Sequence, residues 1–429
     1  MSYMKKSFDS NRKTRTRDLN FFHLISRDEF IDLLSRFRRL NHEDVEISSA
    51  LGRVLAEDIF APEDLPPFGR STMDGFAVRA RDTFGCGESE PALFRVTGEV
   101  PMARPGTDYD VGPQEAVRIW TGGALPRGTD AVVMIEYTHL LDENTIEIFK
   151  PVAPGENVIS QGEDLRRGQM VLEKGIALKP TDLGALSGLG ITRVKCFKQP
   201  RVAILSTGDE LVPPHETPGP GKIRDINSTT LCALVQASGG IPIPLGIVPD
   251  HTDAIVQRCR DAVESGADIV LLSGGSSVGM RDFTLDVLNA MDGATILAHG
   301  VSIRPGKPTI LAKQANRAFF GLPGHVASSI VVFYLLVQPL IRYMSGQSLM
   351  TDLKEIEVIC GQEFPSVSGR EDFVRVSLSK DPDRECPVAF PVWGKSGLIN
   401  PLVKADGLLV IPRDSEGLEK GEKAKALLF

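Results

Sequence analysis

The sequence predicts a multidomain α/β plus β chain: a doubly wound α/β domain over 199–347, an N-terminal mixed region carrying an inserted β domain, and a small C-terminal β barrel or sandwich. Three observations carry this prediction. From Arg201 the chain alternates strand-like and helix-like runs, the order that builds a mostly parallel sheet with helices on both faces. Over 62–155 short apolar strands (LFRVTGEV, EAVRIWTGG, DAVVMIEY, TIEIFK) are parted by Gly and Pro turns. From Asp352 onward the β texture returns (KEIEVIC, DFVRVSLS, PVAFPVW, GLLVIPR).

Taken in order, residues 1–20 carry Lys5, Lys6, Arg12, Lys13, Arg15 and Arg17 without an apolar stretch and read as a flexible tail. Phe30, Leu33, Leu34 and Phe37 recur at helical spacing, so 26–40 reads as an amphipathic helix, with Ser26 and Glu29 as its capping box. Residues 21–61 and 156–198 make up the N-terminal elongated mixed domain, split by the β insertion of 62–155. A short helix after Pro180 could pack back on the first one.

In the α/β domain, RVAILSTGDEL is a strand and turn, and NSTTLCALVQASGG a helix capped by Asn227 or Ser228 and stopped at Gly239-Gly240. IPIPLGIVPD is a strand ending at Asp250, and HTDAIVQRCRDAVESG is a second helix. The unbroken apolar run 269–272 suits a strand buried on both faces. A Gly/Ser loop and a further helix (DFTLDVLNAM) follow. ILAHGVSIRPGKPTILA and RAFFGLPG add strands, then HVASSIVVFYLLVQPLIRYMSG a long apolar helix, and 348–429 form the C-terminal β domain.

Composition narrows the function classes. At 429 residues and 42% apolar the chain has material for several cores. A formal net charge of −8 argues against a nucleic-acid partner, while leaving room for a local basic pocket that takes a small anion. The six cysteines are scattered without a CxxC pair, so neither a zinc site nor a disulfide framework is expected. No apolar run reaches the 18 or so residues of a spanning helix, so no membrane partner is expected. With no secretory signal at the N-terminus, a cytoplasmic location is expected.

The chemistry-bearing residues gather in loops at strand ends. Ser273, Gly274, Gly275, Ser276, Ser277 and Gly279 follow a buried strand and precede a helix. Glycines let a ligand approach the backbone, serines add donors, and a helix N-terminus favours an anion; the same run also serves as an ordinary βα turn. Asp209 with Glu210, Asp250 and Asp282 put carboxylates on separate loops of one sheet edge. Such a set suits hydrated Mg²⁺ or a general base, although each member alone is an ordinary cap or turn residue. Arg304 and Lys307 flank Gly306, able to clamp an oxyanion or to stand as solvated charges. GLPG, with Pro323 and Gly324, repeats the strand-to-helix geometry ahead of His325, a cap, ligand or proton donor. Asp74 beside Gly75 marks a tight turn, and Thr121 closes a strand.

STMDGFAVRA, VRIWTGGALPRGTDAVVMIE, QGEDLRRG, ILSTGDEL, GKIRDINS, SGGSSVGMRDFT, RPGKP and GLPG occur in the order of one family and cover nearly the whole chain from residue 26. On these stretches the chain resembles the molybdopterin molybdenumtransferases (molybdenum insertases), a family that includes the C-terminal portion of gephyrin. The resemblance implies a molybdopterin-binding α/β domain and insertion of molybdate into adenylylated molybdopterin, with Mg²⁺-dependent release of AMP. It also implies a homodimer whose cleft lies between the α/β domain of one subunit and the N-terminal regions of the other, and it leaves room for contact with other cofactor-biosynthesis or acceptor enzymes. By motif match, Asp74, Thr121, Asp164, Glu210, Asp250 and Asp282 fall on catalytic positions, with Glu210, Asp250 and Asp282 holding Mg²⁺ or placing the pyrophosphate. The loop 273–279 would cradle the pterin phosphate, and Arg304 and Lys307 would clamp anions beside Pro323 and Gly324. Arg375 and Ser396 would approach the cleft from the last domain.

The chain departs from the family pattern at Arg304, where Lys is expected, at His325-Val326, where Asn-Pro is usual, and at Ser276, where Val is usual. These changes keep open a tungstate-preferring insertase. A non-catalytic pterin-binding scaffold, or a cofactor adenylyltransferase built on 201–347, are the other readings.

Overall fold

The computed structural model describes residues 24–274, 280–380 and 385–429. The tail read over 1–20 and the loop residues Gly275, Ser276, Ser277 and Gly279 lie outside the described residues. The chain divides into two compact units: Met1–Glu43 with Phe197–Phe429, and Asp44–Cys196.

The first unit is built on a six-stranded sheet of β1 (Arg201–Thr207), β2 (Ile241–Val248), β3 (Ile269–Gly274), β4 (Thr295–His299), β5 (Ile310–Gln314) and β6 (Arg317–Pro323), in the order β2-β1-β3-β6-β5-β4. Strands β2, β1, β3 and β6 pair in parallel, and β5 runs against both neighbours. Successive side chains of a strand point to opposite faces. Val202, Ile204, Ile269 and Leu271 therefore enter one core, with Leu231, Val235, Val331 and Leu335. Ala203, Leu205, Val270 and Leu272 enter another, with Ile255, Cys259, Val287 and Leu288. Helices Asn227–Ala237 and Val326–Met344 thus cover one face, Thr252–Glu264 and Met280–Asn289 the other. Burial on both faces is why these strands read as continuous apolar runs.

Helix Arg27–Leu34 begins on the expected capping box but stops short of residue 40. Past Leu34 the bonds tighten to the i→i+3 kind, Ser35 N to Asp32 O and Phe37 N to Leu34 O, both 3.2 Å. Its single apolar face is occupied by the sheet: Phe30, Leu34 and Phe37 are buried in the first core, and the Phe30 ring lies 6.2 Å from that of Phe320. Within the second unit, helix Pro180–Gly188 places Leu186 among Val45, Ala50, Leu55 and Ile59. Helix Val326–Met344 is long and apolar enough to cross a membrane, yet most of it is buried in the fold. A π turn, Phe333–Val337, falls just before Pro339, whose ring would meet the carbonyl four residues back in an uninterrupted α-ladder.

The last domain is a closed barrel. Strands Glu371–Ser379, Val388–Pro391, Lys354–Cys360, Lys423–Leu428 and Gly407–Ile411 pair in that order, and the last returns to the first. Ile303–Arg304 adds in parallel beside Glu371–Ser379, which sets Arg304 opposite Asp372.

The second unit contains the expected β-rich region, a six-stranded sheet in the order Ala131–Met134, Gly75–Val78, Glu115–Ile119, Ala92–Val100, Thr145–Ile148, Thr138–Asp142. Gly75 has no room for a side chain, since a Cβ would stand 1.9 Å from the Val133 carbonyl oxygen. All six cysteines are free thiols, and burial pushes the Cys259 thiol up to about 12.

Candidate functional site

The chain leaves β1 for its edge neighbour β2 and comes back to β3 on the other side, so the strand order reverses beside β1. Ligands of open α/β sheets bind at the carboxyl ends of the strands at such a point. Here Thr207 pairs with Gly274, and Gly274 with Pro323, so three strand ends stand level. A cavity of about 250 Å³ opens there, lined by Thr207, Glu210, Asn227, Ser273, Gly274 and Gly324 among others. Gly274 is required by its neighbour: a Cβ would lie 1.8 Å from Thr207 Oγ1. Asn227 Nδ2 donates to Ser273 Oγ at 2.7 Å and to the Gly324 carbonyl at 2.8 Å, tying two strand ends together.

The expected cap of the following helix is corrected. The cap position is Ile226, and the carboxylate of Asp225 receives Ser228 N (3.1 Å) and Ser228 Oγ (2.5 Å). Asn227 is already helical, which turns its amide toward the cavity. Sequence reasoning missed both roles, although an Asp three residues before a Ser at a helix start is a capping signal.

At the acidic edge, Asp250 N donates to Asp209 Oδ1 at 3.3 Å. Burial, and then the negative charges of Asp209 and Glu210, raise the carboxyl pKa of Asp250. Its Oδ1 is buried and takes no hydrogen bond. A carboxylate in that state is relieved by a proton or a cation. The third expected member, Asp282, starts the helix Met280–Asn289, but its side chain lies outside the described residues. Among the described residues no group of three His, Cys, Asp or Glu side chains is gathered tightly enough to hold a metal ion.

A second cavity of about 350 Å³ is lined by Arg304, Ala327, Asp372, Arg375, Lys395 and Ser396 among others. Arg304 Nη1 meets Asp372 Oδ2 at 3.2 Å, while Arg370 Nε (3.0 Å) and Ser366 Oγ (2.9 Å) donate to the same buried carboxylate. Arg375 Nη2 donates to the Gly394 carbonyl at 2.5 Å, and its Nη1 is buried without a hydrogen-bond partner. Burial lowers the pKa of this guanidinium. Lys307 is exposed and is not part of this lining. Asp372 and Lys395 are site residues the sequence did not announce, because only the barrel register brings Asp372 to Arg304.

In the unit 44–196, Thr121 N and Thr121 Oγ1 both donate to Asp74 Oδ1 at 2.7 Å. These two bonds, backbone first, lower the Asp74 pKa. Asp164 is exposed, and among the described residues no hydrogen bond links it to that pair. Its turn is held by Asp64, which accepts from Arg167 N and Gln161 Nε2, each at 2.9 Å.

Three family profiles match this architecture: the MoeA N-terminal region (domain I and II) over residues 25–190, the probable molybdopterin binding domain over 203–343, and the MoeA C-terminal region (domain IV) over 357–429. A Haemophilus influenzae protein named molybdopterin molybdenumtransferase is 35% identical over 380 residues, 89% of this chain and 92% of its own length. The chain belongs to the molybdopterin molybdenumtransferase family. A Bacillus subtilis relative of the same name is 32% identical over 94% of this chain and 93% of its own. A crystal structure titled molybdopterin biosynthesis MoeA protein from Pyrococcus horikoshii superposes with a TM-score of 0.79 at 34% identity, over 94% of this chain and 99% of that one. Within the family frame, the molybdopterin-binding profile runs from β1 through the long helix Val326–Met344, and the C-terminal profile covers the barrel that brings Arg375 and Ser396.

Proposed function

We propose that this chain, a transferase of molybdenum cofactor biosynthesis, inserts molybdate into adenylylated molybdopterin with release of AMP. The observation that carries the reading is the buried, unpartnered Arg375 Nη1 on a cavity that Arg304 and Lys395 also line. Cations with free N–H donors suit a tetrahedral dianion. The neighbouring cavity offers Ser273, Asn227 and glycine backbone, which suit a phosphate. The relatives' name, molybdopterin molybdenumtransferase, supports molybdopterin and molybdenum as the reacting partners.

Mg²⁺ fits the acidic edge: Glu210 and Asp250 would hold it, with Asp282 as the third member expected from the motif, and the orphaned Asp250 Oδ1 is the acceptor it would satisfy. Bound there, the ion would offset the pyrophosphate charge and polarise it for cleavage. Asn227 holds the Ser273 hydroxyl in place, and Asp74 fixes the Thr121 turn. A cytoplasmic homodimer is part of the proposal, and light scattering at working concentration is to give twice the 46.6 kDa chain mass.

The test is AMP release from adenylylated molybdopterin, with molybdate and tungstate titrated separately and Mg²⁺ present or chelated. Release that needs Mg²⁺ and saturates at lower molybdate than tungstate is the expected outcome. Tight pterin binding without release under any condition overturns the assignment as an enzyme.

A further inference from the structure

The two cavities share a wall, and one hydrogen bond spans it. His325 lies on the first cavity, and Ser396 lies on the second. His325 Nδ1 and Ser396 Oγ are 2.8 Å apart, and Ala327 N donates to the Ser396 carbonyl at 3.0 Å. The turn that ends β6 therefore grips Ser396 at both its backbone and its hydroxyl.

A serine hydroxyl has one proton to give and two lone pairs to offer. An oxyanion offers acceptors only. Ser396 can donate into the second cavity only when the proton in its bond to the imidazole comes from the ring. We propose that His325 is a positioning residue: its Nδ1–H donates to Ser396 Oγ and thereby turns the Ser396 proton toward the oxyanion. The proposal rests on reading the second cavity as the oxyanion site. It assigns a task to a residue that departs from the Asn usual at this position, and a carboxamide N–H reaches the place that Nδ1–H occupies on the imidazole.

The test compares His325→Ala and His325→Asn in the full chain, by AMP-release rates with molybdate and adenylylated molybdopterin varied in turn. His325 is exposed, so neither change opens a hole in a core. His325→Ala is to raise the KM for molybdate roughly fivefold, the worth of one neutral hydrogen bond, without a matching rise in the KM for the pterin. His325→Asn is to restore the parent value for molybdate. An unchanged molybdate KM in His325→Ala overturns the proposal, as does an equal rise in both KM values, which is what mere loss of a wall would give. Failure of His325→Asn to restore also overturns it. Arg375→Met, run alongside, separates the two levels: if it leaves the molybdate KM untouched, the oxyanion reading of the cavity falls, and the role of His325 falls with it.

Discussion

Gly274 and Thr207 lie so close across β3 and β1 that the threonine hydroxyl fills the space of a glycine side chain. Gly274→Ala forces an overlap worth about 1–3 kcal/mol of stability, the usual penalty for overpacking. Thr207→Ala in the same chain removes the obstructing oxygen, so the double variant is to be more stable than the sum of the two single losses predicts, read by chemical denaturation. Asp250 gives a prediction with a pH sign. Its folded pKa is raised, so its contribution to stability is fully present below the unfolded value, about 4, and is lost as pH rises through the folded pKa. Asp250→Asn cannot ionise. Its melting temperature is to exceed that of the parent at pH 7.5, the gap closing as pH falls toward about 4, while Mg²⁺-dependent AMP release drops. A gap that stays constant with pH would show that charge at Asp250 is not strained. At this scale the sequence reported residue chemistry well and residue pairing poorly. Glycines and carboxylates at strand ends were legible as types. That Asp372 would hold Arg304, 68 positions away, depends on barrel register, and no local pattern encodes it.

Among the elements, the helix Arg27–Leu34 separates what periodicity can and cannot tell. Its start was legible, because Ser26 and Glu29 make reciprocal bonds within one turn. Its apolar face was legible from the spacing of Phe30, Leu34 and Phe37. The surface that this face covers was not, because periodicity names a face and not its partner. The sheet claims it, with Phe30 fully buried against the core that holds Phe320 and Val332. Phe30→Ala therefore costs about 3–5 kcal/mol, as a deep core truncation does, and lowers the denaturant midpoint accordingly. A loss below about 1 kcal/mol would mean that the helix is only loosely docked. The long helix gives the same lesson: its apolar run is plain in the sequence, but the π turn Phe333–Val337 just before Pro339 is a detail of the hydrogen-bond ladder that apolar periodicity does not carry.

The whole chain was legible as an order of domains, since alternation, β texture and motif order each survive in a single sequence. The partition of cores was less so, because residues 24–43 precede the β insertion yet pack with the chain that follows it. Each of the two units owns its buried apolar clusters: Phe30, Ile204 and Leu336 belong to one, Phe76, Val133 and Ile146 to the other. Units with separate cores unfold as separate cooperative steps unless something couples them. Calorimetry is therefore to resolve two transitions, and two substitutions assign them. Phe30→Ala acts in the core of the first unit and is to lower one transition alone. Gly75→Ala drives a Cβ to within 1.9 Å of the Val133 carbonyl inside the β sheet of 44–196 and is to lower the other. If either substitution shifts both transitions equally, the two units unfold as one cooperative step.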